Sequence, residues 1–269
     1  MTVVPAVRPI PSGLQQWWVL TRRLIAPTVR NGEVAVGVAV SVAVTASLYI
    51  PLNRLMNGPD LGMSSYAQYL TPLIVMQAIA FASISTAFRA ASDSVLGINR
   101  RFQSLPIGLL TPLAARITAS VYRCLIGLGV ALACGYIIGF RFYRGPLNAL
   151  LFCALVLLTG LALALLGDTL GTKSRDPAAT AQWLLLPQLI FGFLSVGVQP
   201  LHRFPDWIQP VVNNQPISRL IYAMRSLAGD SQDGVAPVTW SVIWPALAWV
   251  IAIVAVTVPW AALVYRRRS

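Results

Sequence analysis

Residues 89–116 read RAASDSVLGINRRFQSLPIGLLTPLAAR, and the fold turns on how they are read. They form a polar, arginine-bearing island between two long apolar runs, 69–88 and 117–140. If those runs cross a bilayer, the island is a cytoplasmic connector. Within it Val95, Leu96 and Ile98 interleave with Asn99, Arg100, Arg101 and Gln103. That pattern predicts a short helix over 94–105, stopped by Pro106. An amphipathic helix at a membrane surface can plug into a soluble partner. The same residues also suit an ordinary re-entry loop held by positive charge. Local chemistry leaves both readings open.

Composition decides the solvent. Of 269 residues, 57% are hydrophobic and only 10% charged, with a mean hydropathy of +0.70. Soluble domains carry about a quarter charged residues, so this composition describes an integral membrane protein. The net charge of +12 comes from arginines lying between apolar runs. Topology and anionic headgroups explain them better than nucleic acid, which is not expected as a partner. Cys124, Cys134 and Cys153 fall inside apolar runs without C-x-x-C spacing, so they read as small buried hydrophobes. No short apolar core with a small-residue cleavage site opens the chain, so the first span is expected to act as its own insertion signal.

Residues 1–12 are Pro-rich and expected to form a disordered cytoplasmic tail; residues 13–269 are expected to form a single transmembrane domain. Over 13–30, Leu14, Trp17, Trp18, Leu24 and Ile25 share a helical face, with Arg22 and Arg23 on the flank or opposite side. This predicts a helix lying in the headgroup layer, the alternative being a plain flank of the first span. Six apolar stretches near the required length of about 20 residues follow: 34–52, 68–88, 117–140, 147–167, 181–198 and 239–265. The expected class is therefore all-α with six transmembrane helices. With the N-terminus inside, 13 basic residues fall on the cytoplasmic side and six outside, which places both termini in the cytoplasm.

The segment 199–225 differs from the other connectors. Pro200, Pro205, Pro210 and Pro216 forbid one continuous helix, while Trp207, Ile208, Leu220 and Ile221 are apolar enough for the membrane. Two short broken helices, re-entrant from outside, are predicted; a loop lying on the bilayer is the alternative.

Little in the chain suggests catalysis. His202 is the only histidine, and Asp93, Asp168 and Asp206 fall in separate connectors, so neither a catalytic centre nor a proton relay is expected. Gly171-Thr172-Lys173-Ser174 resembles the tail of a phosphate loop but lacks its spacing, its upstream glycine and a preceding strand. No ATP site, metal site or other cofactor is expected in this chain. Gly135 and Gly139 form a G-x-x-x-G that permits close helix contact. Arg116 and Arg123, seven residues apart, share a helix face; Arg123 either snorkels or faces a wet or lipid-headgroup path. Trp207 and Ile221 are assigned, with these arginines, to a substrate or lipid path.

The parts together resemble ABC-2-type transporter permeases, and more specifically the B-type permease subunit of actinobacterial daunorubicin-resistance exporters. The resemblance rests on Phe88 to Ser94, Gly97 to Pro106, Leu110 to Arg116, Gly135 to Phe142 and Asn214 to Ser218. It implies a coupling helix between spans two and three, seated in a separate ATPase, with Asp93, Arg100, Arg101 and Phe102 carrying that contact. It also implies two ATPase copies holding ATP and magnesium, a second ABC-2 permease, and a multi-pass place in the inner membrane. The substrates of this group are drugs and complex cell-envelope lipids such as phthiocerol dimycocerosates, and a largely apolar chain suits either kind of amphiphile. A non-transporting scaffold or assembly subunit of an envelope-lipid exporter is the alternative.

Overall fold

A computed structural model describes residues 12–30, 32–56, 63–98, 111–231 and 235–266. The described residues hold only helices, turns and irregular segments. In chain order these are α1 (Gly13–Arg30), α2 (Glu33–Met56), α3 (Tyr66–Val95), α4 (Thr111–Ile138), α5 (Gly145–Lys173) and α6 (Pro177–Phe193). A 3-10 turn (Leu201–Arg203), α7 (Gln209–Asn214), α8 (Pro216–Ala228) and α9 (Trp240–Arg266) complete the order.

The centre is α3, which packs against α2, α4, α5, α6 and α8. Ser65 caps it by accepting from the Gln68 amide at 3.2 Å. Most of its first fourteen residues are fully buried, among them Tyr66, Leu70, Leu73 and Ile74. Its closest neighbour is α5, and small residues make the approach possible. A Cβ at Gly167 would sit 2.8 Å from the Ser83 carbonyl oxygen, and one at Gly171 would overlap that of Ala87. Backbones meet along this seam, the packing mode open to helices that gain nothing from hydrophobic association in lipid. The G-x-x-x-G of α4 divides its work: Gly135 abuts Thr71 of α3, whereas Gly139, at φ +110°, ends the helix.

Among the described residues, five helices are long and apolar enough to cross a membrane: α2, α3, α4, α5 and α9. The fifth expected span, 181–198, is a 17-residue helix, α6, followed by turns over residues 194–198. Asp176 starts it by accepting from the amides of Ala178 and Ala179 at 2.9 and 3.1 Å, with Pro177 in the first turn. Ser195 then bends the chain: its hydroxyl donates to the Gly192 carbonyl and accepts from the Gly197 amide. Large apolar side chains such as Ile50, Leu147, Ile190 and Ile251 stay exposed on the outer faces. Such a surface suits lipid and would be an association hazard in water.

Past α6 the chain folds back as two short helices, as the prolines predict. Pro210 and Pro216 stand in the first turns of α7 and α8, where a missing N–H costs nothing. Leu220, Ile221, Met224 and Leu227 of α8 are buried among α3, α5 and α9. Arg225 is buried with them. Its guanidinium lies 3.5 Å over the Tyr69 ring and donates to the carbonyls of Tyr69 (2.9 Å) and Val196 (2.8 Å). Gln68 completes the cap, donating to the carbonyls of Arg141 and Gly229 and accepting from the Arg141 amide.

Candidate functional site

At the opposite end of the bundle from this cap, α3 and α5 run past their apolar portions. The first continues to Val95 where hydropathy predicts an end at 88, and the second to Lys173 where it predicts 167. Similarly, α4 begins at Thr111 instead of 117. These extensions bring three charged side chains together. Arg116 of α4 donates Nη1 to Asp168 of α5 at 2.9 and 3.2 Å, and its Nη2 lies 3.8 Å from Asp93 of α3. The three side chains are 14 to 24% exposed. A second tie joins the same helices, because the Ser94 hydroxyl donates to the Thr172 carbonyl at 2.9 Å.

One guanidinium thus fastens three helices next to both ends of the 89–116 stretch. Arg100, Arg101 and Phe102, the centre of the expected coupling helix, lie outside the described residues. Asp93 belongs to the last turn of α3, not to a separate helix, which stops at a turn over Leu96 and Gly97 (φ +68°). Arg23 of α1, Arg89 and Asp93 of α3 and Arg116 line one cleft of about 210 Å³ under α1.

The helix α1 lies against α4 and α2. The two tryptophans assigned to one face divide. Trp17 is half-buried and donates Nε1 to the Thr118 hydroxyl at 3.3 Å, while Trp18 is 58% exposed. Adjacent residues on a helix point about 100° apart, so Thr21 and Leu24 turn inward with Trp17 while Leu14 and Trp18 turn out. Arg22 and Arg23 are exposed.

Arg123 sits two turns further along α4 than Arg116, about 10 Å along the helix axis. It is buried, with Nη2 near the hydroxyls of Thr86 (3.2 Å) and Ser120 (3.4 Å). Trp207 and Ile221 have opposite surroundings. Trp207 is 78% exposed, and Ile221 is in the core under Gly197 and the cap.

Sequence reasoning did not single out Asp168 as the partner of Arg116. The signal was present: Arg116 and Asp168 stand next to predicted span ends on the same side of the membrane, and an acid at a span edge calls for a partner. It also missed a buried amide bridge between α6 and α3, in which Gln188 Nε2 donates to Gln77 Oε1 at 2.8 Å. Two glutamines inside apolar runs were the only cue.

These features define a multi-pass helical membrane protein with an ionic tie at the foot of its central helices. It has no nucleotide-binding sequence of its own. The chain belongs to the ABC-2 family of transporter proteins, whose profile matches residues 39–263. It is 46% identical over 259 residues to the doxorubicin resistance ABC transporter permease protein DrrB of Mycobacterium tuberculosis, covering 94% of this chain and 90% of that one. The probable doxorubicin resistance permease DrrC of the same organism is 30% identical over 200 residues, 74% of this chain and 70% of that one. The daunorubicin resistance permease DrrB1 of Streptomyces coeruleorubidus is 26% identical over 165 residues, 60% of this chain and 57% of its own length. The protein is therefore a membrane permease whose ATPase is a separate subunit.

Proposed function

We propose that this chain is the permease subunit of an ATP-driven exporter that moves an amphiphilic lipid or hydrophobic drug outward across the inner membrane. Two copies of a separate ATPase, holding ATP and magnesium, drive it through the 89–116 connector, and a second ABC-2 permease completes the pathway. Both termini are cytoplasmic in this reading, α6 serves as the fifth of six spans, and α7 and α8 dip into the outer leaflet. The drug-resistance relatives support a drug as cargo, and the exposed apolar faces suit a lipid equally.

The observation that carries the reading is the tie at Arg116. A connector gripped by an ATPase between residues 95 and 111 would pull directly on α3 and α4. Arg116 would pass that pull to α5 through Asp168. Asp93, Arg100, Arg101 and Phe102 are the connector's contacts in this scheme; Trp17, Trp18, Arg22 and Arg23 hold α1 at the inner leaflet.

Co-purification in mild detergent tests the reading. The exporter should retain a stably bound ATPase whose hydrolysis rises with cargo. Arg100→Glu with Arg101→Glu should preserve membrane insertion and release the ATPase, or break the link between hydrolysis and export. An intact complex with normal coupling in that variant would reduce the connector to a positively charged loop. A chain that never holds an ATPase would be the scaffold of the alternative reading.

A further inference from the structure

Between α2 and the pair α3–α4 runs a furrow of about 350 Å³. Its walls are apolar, built by residues such as Val40, Phe81 and Ile126. Set among them are Thr28, Ser41 and Arg123. The two hydroxyls depart from a pattern that many hydroxyls in this bundle follow. Serines and threonines in apolar helices normally turn back onto the carbonyl four residues earlier. Thr71, Ser83, Thr159 and Thr257 all do so here. Thr28 and Ser41 do not, although both are more than nine-tenths buried, and neither hydroxyl has a partner among the described residues. A buried donor left in this state is destabilising unless a partner arrives to satisfy it. Two such groups and the arginine thus line one apolar trough. Small-ligand sites have this composition and begin at about 300 Å³.

We infer that the furrow binds a single-chain amphiphile with an anionic, oxygen-rich head. The apolar walls take the chain. Arg123 attracts the head, and Thr28 and Ser41 supply further donors to its oxygens. The inference deepens the permease reading and rests on it for the ligand's onward movement, but binding itself is measured without transport.

The wall also supplies a steric test. A Cβ at Gly37, which lines the furrow, has no neighbour within 4 Å. A leucine there starts from an open position on the wall and adds bulk to it. The full chain in phosphatidylcholine nanodiscs is photolabelled with a diazirine-bearing palmitic acid, and the adducts are mapped by peptide. Labelling should concentrate on α2, α3 and α4. Excess oleate should compete at least about tenfold better than methyl oleate, a preference of 1.4 kcal/mol. Gly37→Leu should cut labelling at least about tenfold, and Arg123→Gln should erase the preference for acid over ester.

Three results would overturn the site: equal competition by acid and ester on the unaltered chain, label spread evenly over every lipid-facing helix, or undiminished labelling of a monodisperse Gly37→Leu protein. The acid–ester comparison needs no variant, so a misfolded substitution does not protect the proposal. None of these readouts involves an ATPase, so a failed export assay and a failed binding assay are distinct outcomes.

Discussion

Removing the Asp168 carboxylate is the sharpest probe of the tie between α4 and α5. In Asp168→Ala, Arg116 loses two contacts at 2.9 and 3.2 Å and keeps Asp93 at 3.8 Å. Fully exposed ion pairs contribute about 0–1 kcal/mol. Hydrogen bonds to charged groups contribute about 1.5–3 kcal/mol. With side chains only 14 and 15% exposed, the pair belongs near the lower half of that second range, at about 2 kcal/mol. Arg116→Ala should cost more, about 3 kcal/mol, because it removes the guanidinium that both carboxylates face.

The double-mutant cycle isolates the shared part, expected at about 1–3 kcal/mol for residues in direct contact. Unfolding in mixed micelles of rising dodecyl sulfate content, followed by the fluorescence of the eight tryptophans, supplies the four stabilities. Exchanging the charges, Arg116→Asp with Asp168→Arg, should recover part of the loss. Additivity within about 0.5 kcal/mol would refute the tie, since that is the behaviour of independent sites.

Two further outcomes follow from the packing. Gly171→Val should separate α3 from α5 and cost at least about 1–3 kcal/mol, because its Cβ overlaps the Ala87 carbonyl oxygen; a wild-type unfolding midpoint would show that the seam is loose. In a background lacking the native cysteines, Ile221→Cys should resist an impermeant thiol reagent. Labelling there as fast as at Trp207→Cys would detach α8 from the core in which it is buried.

Hydropathy located the long helices because apolar length is what a bilayer demands, and it misplaced their ends for the same reason. It marks where hydrocarbon stops, whereas a helix continues as long as its polar side chains find partners. Asp93 and Asp168 find one in Arg116, so α3 and α5 carry on. The opposite error occurred at 194–198, where apolar Leu194, Val196 and Val198 count toward a span although Ser195 turns the chain. Broken helices at 199–225 were legible because proline acts locally. The destination of Ile221 was not, because burial against α3 depends on contacts more than a hundred residues away. The cluster at Arg116 has the same character: each member is unremarkable alone, and only the parallel overrun of three helices brings them together.

The clamp at Arg225 bears on how the chain is made. Its partners among the described residues are two backbone carbonyls and an aromatic face, all on segments synthesised earlier. While the ribosome is still working through the middle of the sequence, α3 is already inserted but its upper end has no lid. Carbonyls of Tyr69 and Val196 wait for a side chain that emerges some 30 codons after Val196 itself. A nascent chain halted before Pro216 would hold the central helix uncapped, with lipid against Leu220's future seat. The last third of the gene therefore closes the structure that the first third begins, and translation stalls in that interval should yield a species that membrane proteases recognise.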